Sequence, residues 1–407
     1  MGKLAGVTFL ALLGLAAAAC SGAGKDGQPS TAPECAVKVE RFKELSLVDD
    51  AIVGDARSLN VTPGPWSFRY AIEAMAPRDV DPGKFVMTWL EDWGSRKTVN
   101  NVPLDREPRD EQMNARVICP WLKRTASNAC DANCSACTAR HLDLSVAPFR
   151  LRAIVNRLDL REAPDKTGPS GEGRLVFAFT DGPADDPASK PLAMSVIFEY
   201  ALPESYSTKE WANAWHALGT HATFNDAYRS DLEAITNRFV ARNASPSRMN
   251  GSAISQVRSN ESLLNWIWQL REFGLDPNGQ LLLSTLKNTP AESFNGSPEL
   301  VKLIQNNADK VKAKKFVVPA YLLGGSIDSF LSRWNLPGVD EATRTAFAKN
   351  TCNGCHSENP MVDTAFHVSP FRSGVEKLSP FVNDPQKPAT DELATREASL
   401  SRAICAP

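Results

Sequence analysis

Phe149-Arg150-Leu151-Arg152-Ala153-Ile154-Val155-Asn156-Arg157-Leu158-Asp159-Leu160 alternates apolar and polar side chains over most of its length. A period of two sends successive side chains to opposite faces of an extended chain, so this stretch predicts a β-strand. Gly168-Pro169-Ser170-Gly171-Glu172-Gly173 follows. It lacks the Lys-Ser/Thr ending of a phosphate loop and leads into a strand rather than a helix, so it reads as a turn. Gly173 to Thr180 and Met194 to Tyr200 repeat the strand pattern, and three such runs at hairpin-like distances predict an antiparallel sheet. Asn156, Arg157, Asp159 and Arg161 form a polar row, read as a solvated strand edge with mutual ion pairs; lining a site is the functional alternative.

On either side of these strands the spacing turns helical. Ser67 to Ala76 places Phe68, Ile72 and Met75 on one face, and a second helix opens at Asp81-Pro82 with Phe85, Trp89 and Trp93 at intervals of four. From Thr208, Trp211, Trp215, Leu218, Phe224, Tyr228, Leu232, Ile235 and Phe239 predict a long helix or a broken pair. Ser262 to Phe273, with Leu263, Trp266, Ile267, Leu270 and Phe273, predicts another. Aromatic stripes at this spacing are read as core. Phe316 to Leu322 reads as a short strand or connection, and Glu341 to Lys349 as a helix. The fold class expected is α+β: a large mixed body, residues 35–335, with an antiparallel sheet and amphipathic helices, followed by a small helical segment, 336–407.

That last segment carries Thr351-Cys352-Asn353-Gly354-Cys355-His356, in a chain with nine Cys and five His. Cys-x-x-Cys-His is the attachment signature of a c-type haem: two thiols add across the porphyrin vinyl groups and the adjoining imidazole meets the iron. Two intervening residues keep both sulfurs on one helical turn. The sequence therefore predicts one covalent haem c per chain, on Cys352 and Cys355, with His356 as proximal ligand. A redox dithiol, a turn disulfide or half a zinc site are the competing readings. A zinc ribbon needs a second cysteine pair downstream, and only Cys405 follows.

The second axial ligand has no fixed signature. Met361 stands five residues past His356 and beyond Pro360, too close to reach the opposite haem face. His367 is the best downstream candidate, because an eleven-residue step can wrap the porphyrin edge at about 3.3 Å per residue. A histidine from the body, or an open position able to bind a small ligand, are the alternatives. His216 and His221 lie five apart, off the i,i+4 spacing of paired ligands, and read as ordinary helix residues.

Covalent haem attachment requires export, and the first residues supply a signal: Lys3, the apolar Leu4 to Leu15, and small residues Ala16 to Ala19. Residues 1–19 read as a signal peptide. Ala-Ala-Ala-Cys resembles the bacterial lipobox, which implies lipidation at Cys20; Ala17 stands where a branched residue is usual, and cleavage without lipidation is the runner-up. Residues 20–34 have tether composition. The localisation expected is the bacterial envelope or periplasm, lipid-anchored to the membrane. Cys35, Cys119, Cys130, Cys134, Cys137 and Cys405 remain, an even number suited to disulfides in an oxidising compartment; zinc at Cys119, Cys130, Cys134 and Cys137 competes.

A formal net charge of −2 gives no electrostatic case for nucleic acid. Neither Gly-x-Ser-x-Gly nor His-Glu-x-x-His occurs. Thr351 to His356, with Thr364-Ala365-Phe366-His367-Val368 and Arg372-Ser373-Gly374, resembles the C-terminal haem-binding end of a group of uncharacterised exported bacterial lipoproteins. Ile154 to Leu160, Gly171-Glu172-Gly173-Arg174 and Asn250-Gly251-Ser252 extend the resemblance to most of residues 60–405. It implies the architecture and no particular reaction. The function expected is electron transfer to a redox partner protein; a haem enzyme or ligand sensor with an open iron site, and an envelope lipoprotein without haem, are the alternatives.

Overall fold

In the computed structural model the described residues are 35, 37–95, 98–104, 110–163, 168–264, 268–328, 334–357, 366–389 and 391–406. The signal, Cys20 and the tether lie outside them. Ten strands are described: β1 (Ser46–Leu47), β2 (Thr98–Val99), β3 (Val102–Pro103), β4 (Phe149–Arg157), β5 (Glu172–Thr180), β6 (Pro191–Ala201), β7 (Ile254–Glu261), β8 (Gln269–Leu275), β9 (Leu281–Ser284) and β10 (Ser326–Asp328). β2 and β3 pair with each other. The other eight form one sheet in the order β1-β4-β5-β6-β7-β8-β10, with β9 also on β8, and the pairings are antiparallel.

The helices used below are α1 (Phe68–Met75), α2 (Pro82–Ser95), α3 (Cys119–Arg124), α4 (Thr208–Ala217), α5 (Asp226–Val240), α6 (Pro298–Asn306), α7 (Glu341–Lys349), α8 (Cys352–Ser357) and α9 (Glu392–Cys405). The mixed α+β class stands. Val37–Pro407 is one compact unit.

Alternation gives the sheet two unlike faces. One carries Phe149, Leu175, Phe177, Phe179, Phe198 and Phe273, all buried against helices. Phe68 of α1 stacks on Phe149 at 4.4 Å between ring centroids, and Trp93 of α2 lies 5.0 Å from Phe273. Apolar burial of this kind stabilises by roughly 1.5–3 kcal/mol per large side chain. The helices begin where their caps dictate: Ser67 accepts from the Tyr70 amide, and Ser207 and Glu210 form a capping box on α4.

The opposite face carries charge. Arg157 pairs across the ladder with Glu172, Arg174 with Glu199, Glu199 with Gln256, and Arg258 with Glu272. Glu172, Glu199, Gln256 and Glu272 are nevertheless buried, and Arg157 and Asp159 are largely so. The row expected at a solvated edge is therefore ion-paired but covered, because α9 and the segment leading to it lie over it: Glu392 reaches Arg157 at 3.0 Å and Arg161 donates to Ser399 at 2.6 Å.

Other expectations are also corrected. The strand from Phe149 ends at Arg157 and a 3-10 turn, Leu158–Glu162, follows, since the Asn156 side chain accepts from the Leu158 amide at 2.9 Å. The helix expected over Ser262 to Phe273 is absent among its described residues, which contribute β8 from Gln269 onward; Trp266 and Ile267 lie outside them. Of the two readings of Phe316 to Leu322, strand or connection, the structure has the connection, ending in a 3-10 turn, Ala320–Leu322, ahead of β10. The pattern from Thr208 is a broken pair, α4 and α5.

Candidate functional site

A small second core holds the motif in place. Phe347 of α7 packs with Trp334, Leu336, Phe316, Leu322, Leu300 and Ile304. Asp340 caps α7 by accepting from the Thr343 amide. At the far end the Thr351 hydroxyl donates to the Ala348 carbonyl at 2.7 Å and accepts from the Trp334 indole at 3.0 Å. α8 begins at once, and Gly354 is what lets it turn so sharply: a Cβ there would stand 1.9 Å from the Ala348 carbonyl oxygen.

α8 is short, yet it carries Cys352, Cys355 and His356 within little more than one helical turn. The Cys352 amide donates to Thr289 Oγ1 at 3.0 Å. Its thiol packs with Trp268, Leu270, Leu286 and Phe366. Cys352 and Cys355 remain thiols, whereas the other described cysteines are oxidised: Cys119 to Cys134, Cys130 to Cys137, and Cys35 and Cys405 each in a disulfide. Cys130, Cys134 and Cys137 are close enough to suggest a metal, but their sulfurs are bonded to carbon-borne sulfur instead.

His367 comes to this same place. Its ring stacks on that of His356 with centroids 4.0 Å apart, and its Nε2 is 3.5 Å from Cys355 Sγ. Trp268 covers the other side of His356 at 4.5 Å and Phe381 the other side of His367 at 4.8 Å, making a column of four flat rings. His367 is fixed by Ser379, whose amide donates to its carbonyl at 3.1 Å and whose Oγ lies 3.2 Å from Nδ1. A proton held on Nδ1 leaves the Nε2 lone pair toward the motif. Burial, then His356, Arg396, Arg157 and Arg174, pushes the His367 titration well below the ordinary imidazole range, so the ring is neutral. Two thiols and two imidazoles are a donor set that c-type haems use.

His216 and His221 are engaged elsewhere, with Glu44 and Asp231, each at 2.8 Å. Met361 lies outside the described residues.

What the sequence did not disclose is the floor beneath the motif. Arg258 pairs with Glu199 at 3.2 Å and Glu272 at 2.9 Å, and Arg174 with Glu172 at 2.7 Å and Glu199 at 2.9 Å. Burial opposes the charge of Arg258, but Glu199, Glu272 and Cys352 together hold its proton more tightly than usual. Burial pushes the Cys352 thiol up, against the pull of Arg258 and Thr289. For Glu172 burial raises the carboxyl, yet Arg174, Lys287 and Arg258 prevail and bring it down to about 2. The motif thus has an apolar cluster on one side and a buried charged lattice close by.

Compared with family models, with curated proteins and with solved structures, the chain gives no match.

Proposed function

We propose that this chain is an exported c-type haem protein that transfers electrons: Cys352 and Cys355 would anchor the haem, His356 would hold its iron, His367 would be the second iron ligand once the two stacked rings part, and residues 336–407 would form the haem segment. The observation that carries it is the His367 ring lying against the Cys-x-x-Cys-His turn, 4.0 Å from His356. A second neutral imidazole delivered to the attachment turn favours two strong ligands over an open iron position. When bound, the haem would supply one-electron chemistry. The chain's own part is to bring both imidazoles beside the two thiols, with Ser379 fixing His367, Trp268 covering His356 and Phe381 covering His367; loading a haem would part the stacked rings. No substrate need enter, so the reading is electron transfer with a protein redox partner rather than catalysis.

Residues 1–19 as a signal peptide and Cys20 as a lipid anchor at 20–34 complete the proposal. They are supported by the sequence pattern, and by the oxidised cysteines of the body, which suit an exported protein. No helix among the described residues is long and apolar enough to cross a membrane.

The test is expression in a host with cytochrome c maturation, followed by a pyridine haemochrome spectrum and a haem stain of a denaturing gel. A single covalent haem is expected, with no spectral change when carbon monoxide meets the reduced native protein. Colourless protein of unmodified mass overturns the reading. A carbon monoxide shift in native protein would retain the haem and remove His367 from the iron.

A further inference from the structure

Four cysteines close the loop that follows α3, and their sulfurs are gathered into one group. Cys119 is bonded to Cys134 and Cys130 to Cys137. The sulfurs of Cys130, Cys134 and Cys137 all lie within 4.8 Å of one another, so the two links are neighbours, and Cys119 joins the group through Cys134.

The loop keeps this arrangement by means other than sulfur. The Asp131 amide donates to the Ala136 carbonyl at 3.0 Å and the Thr138 amide to the Ala129 carbonyl at 2.9 Å, which sets Cys130 opposite Cys137. Asn128 Nδ2 donates to the Leu122 and Ala139 carbonyls at 3.2 and 3.0 Å, and its Oδ1 accepts from the Ala139 amide at 2.9 Å, closing the base of the loop. Lys123 and Asn114 donate to the Ala132 and Asn133 carbonyls at 2.7 and 2.9 Å and so tie down the tip. Cys119 itself opens α3, whose Trp121 and Leu122 are buried in the main core. Breaking the sulfur bonds therefore leaves the four thiols close to where they stand. Cys119 and Cys134 are buried, while Cys130 and Cys137 are half-buried beneath the exposed Ala132, Asn133, Ser135 and Ala136, within reach of a small reductant.

We propose that reduction turns this loop into a thiolate site for a soft divalent cation of the zinc kind, with Cys130, Cys134 and Cys137 as three ligands and Cys119 as the fourth. A tetrahedral zinc–sulfur site has bonds of about 2.3 Å, which puts its sulfurs about 3.8 Å apart. Each bonded pair has to part by turning its side chains, whereas the spacing between the two links is already of that order. In the reducing step two dithiol molecules each give two electrons and two protons; both S–S bonds break, four S–H groups form, and the reductant leaves as its disulfide. Binding the cation then forms four sulfur–metal bonds and releases the four thiol protons. The oxidised loop cannot bind in this way, so occupancy follows the redox state. The inference is independent of the haem reading, because it uses none of Cys352, Cys355, His356 and His367.

The experiment uses the purified full chain, reduced with dithiothreitol, desalted under argon and incubated with zinc(II). The reduced parent should retain one zinc per chain through gel filtration, and the oxidised parent none. Iodoacetamide followed by peptide mass mapping should find Cys119, Cys130, Cys134 and Cys137 shielded by zinc while Cys35 and Cys405 react. Cys130→Ser should weaken zinc binding at least tenfold in competition with a chromophoric chelator. A reduced parent that takes up no zinc, a footprint in which the four cysteines stay reactive, or equal affinity in Cys130→Ser overturns the site. Loss of the native circular dichroism spectrum on reduction alone overturns it as well, since the sulfurs would no longer be held together. Should Cys130→Ser fail to fold, the footprint on the parent decides by itself.

Discussion

Glu172 is a carboxylate that folding makes far more acidic. Its carboxyl falls to about 2, below the ordinary value of 4.5, because Arg174, Lys287 and Arg258 outweigh the cost of burying it. A depressed folded value gives stability that is fully present above the unfolded value and is lost as the pH falls from about 4.5 towards 2. Chemical denaturation from pH 6 down to pH 2.5 should show that loss. Glu172→Gln should flatten this part of the profile and lower stability at neutral pH, by less than the ~3–5 kcal/mol of a fully orphaned partner because Arg174 retains Glu199. An unchanged profile would mean that Glu172 is not what titrates. A second residue-scale outcome concerns His367→Ala: covalent haem should remain, and the reduced protein should acquire a carbon monoxide spectrum that the parent lacks. Identical responses would exclude His367 as a ligand. His367 was legible in the sequence because chain reach singles it out downstream of His356. Glu199, Arg258, Glu272 and Arg396 were not, since a charged residue on alternate strand positions looks the same whether water or another segment covers it.

At the scale of elements, the junction of α7 and α8 depends on the missing side chain at Gly354. Gly354→Ala would drive its Cβ into the Ala348 carbonyl, and the short α8 must move as a unit to relieve the clash. Overpacking of this kind costs about 1–3 kcal/mol. A lower thermal midpoint and reduced haem incorporation are expected, and a variant that melts like the parent would show that the junction yields without cost. Elements with one wet or one uniform face were readable: α1, α2, α4, α5 and α7, and the β4, β5 and β6 hairpins. The helix expected over Ser262 to Phe273 failed for a physical reason. Leu270 lies in the cluster with Cys352 and Phe366, while Phe273 meets Trp89 and Trp93. With both faces of β8 covered, apolar residues three apart imitate a helix and the period of two disappears.

For the molecule as a whole, the disulfides and the packed C-terminal segment decide how the body stays closed. The Cys119–Cys134 link closes a loop of 15 residues, so replacing both cysteines by Ala should cost about 3 kcal/mol in guanidinium unfolding. Reduction of the parent, which also opens Cys130–Cys137 and the disulfides of Cys35 and Cys405, should cost more, and equal stability of variant and oxidised parent would make the Cys119–Cys134 link incidental to the fold. The α+β class and the oxidised loop around Cys130 and Cys137 could be read from the chain. That the charged side of the sheet is roofed by the segment from Phe366 to α9 could not, because nothing local in either partner names the other.

The partial burial of Cys352 bears on when the proposed haem would be attached. Cys352 is partly buried, packed against Trp268, Leu270, Leu286 and Phe366, so on the proposed haem reading a vinyl group would have to displace some of that packing to reach its sulfur. On that reading thioether formation should be easier before the body collapses than after it. Apoprotein folded in advance and only later offered to the maturation apparatus should stay pale, while nascent chain supplied to the same apparatus turns red; equal colour from both would mean that the roof opens readily.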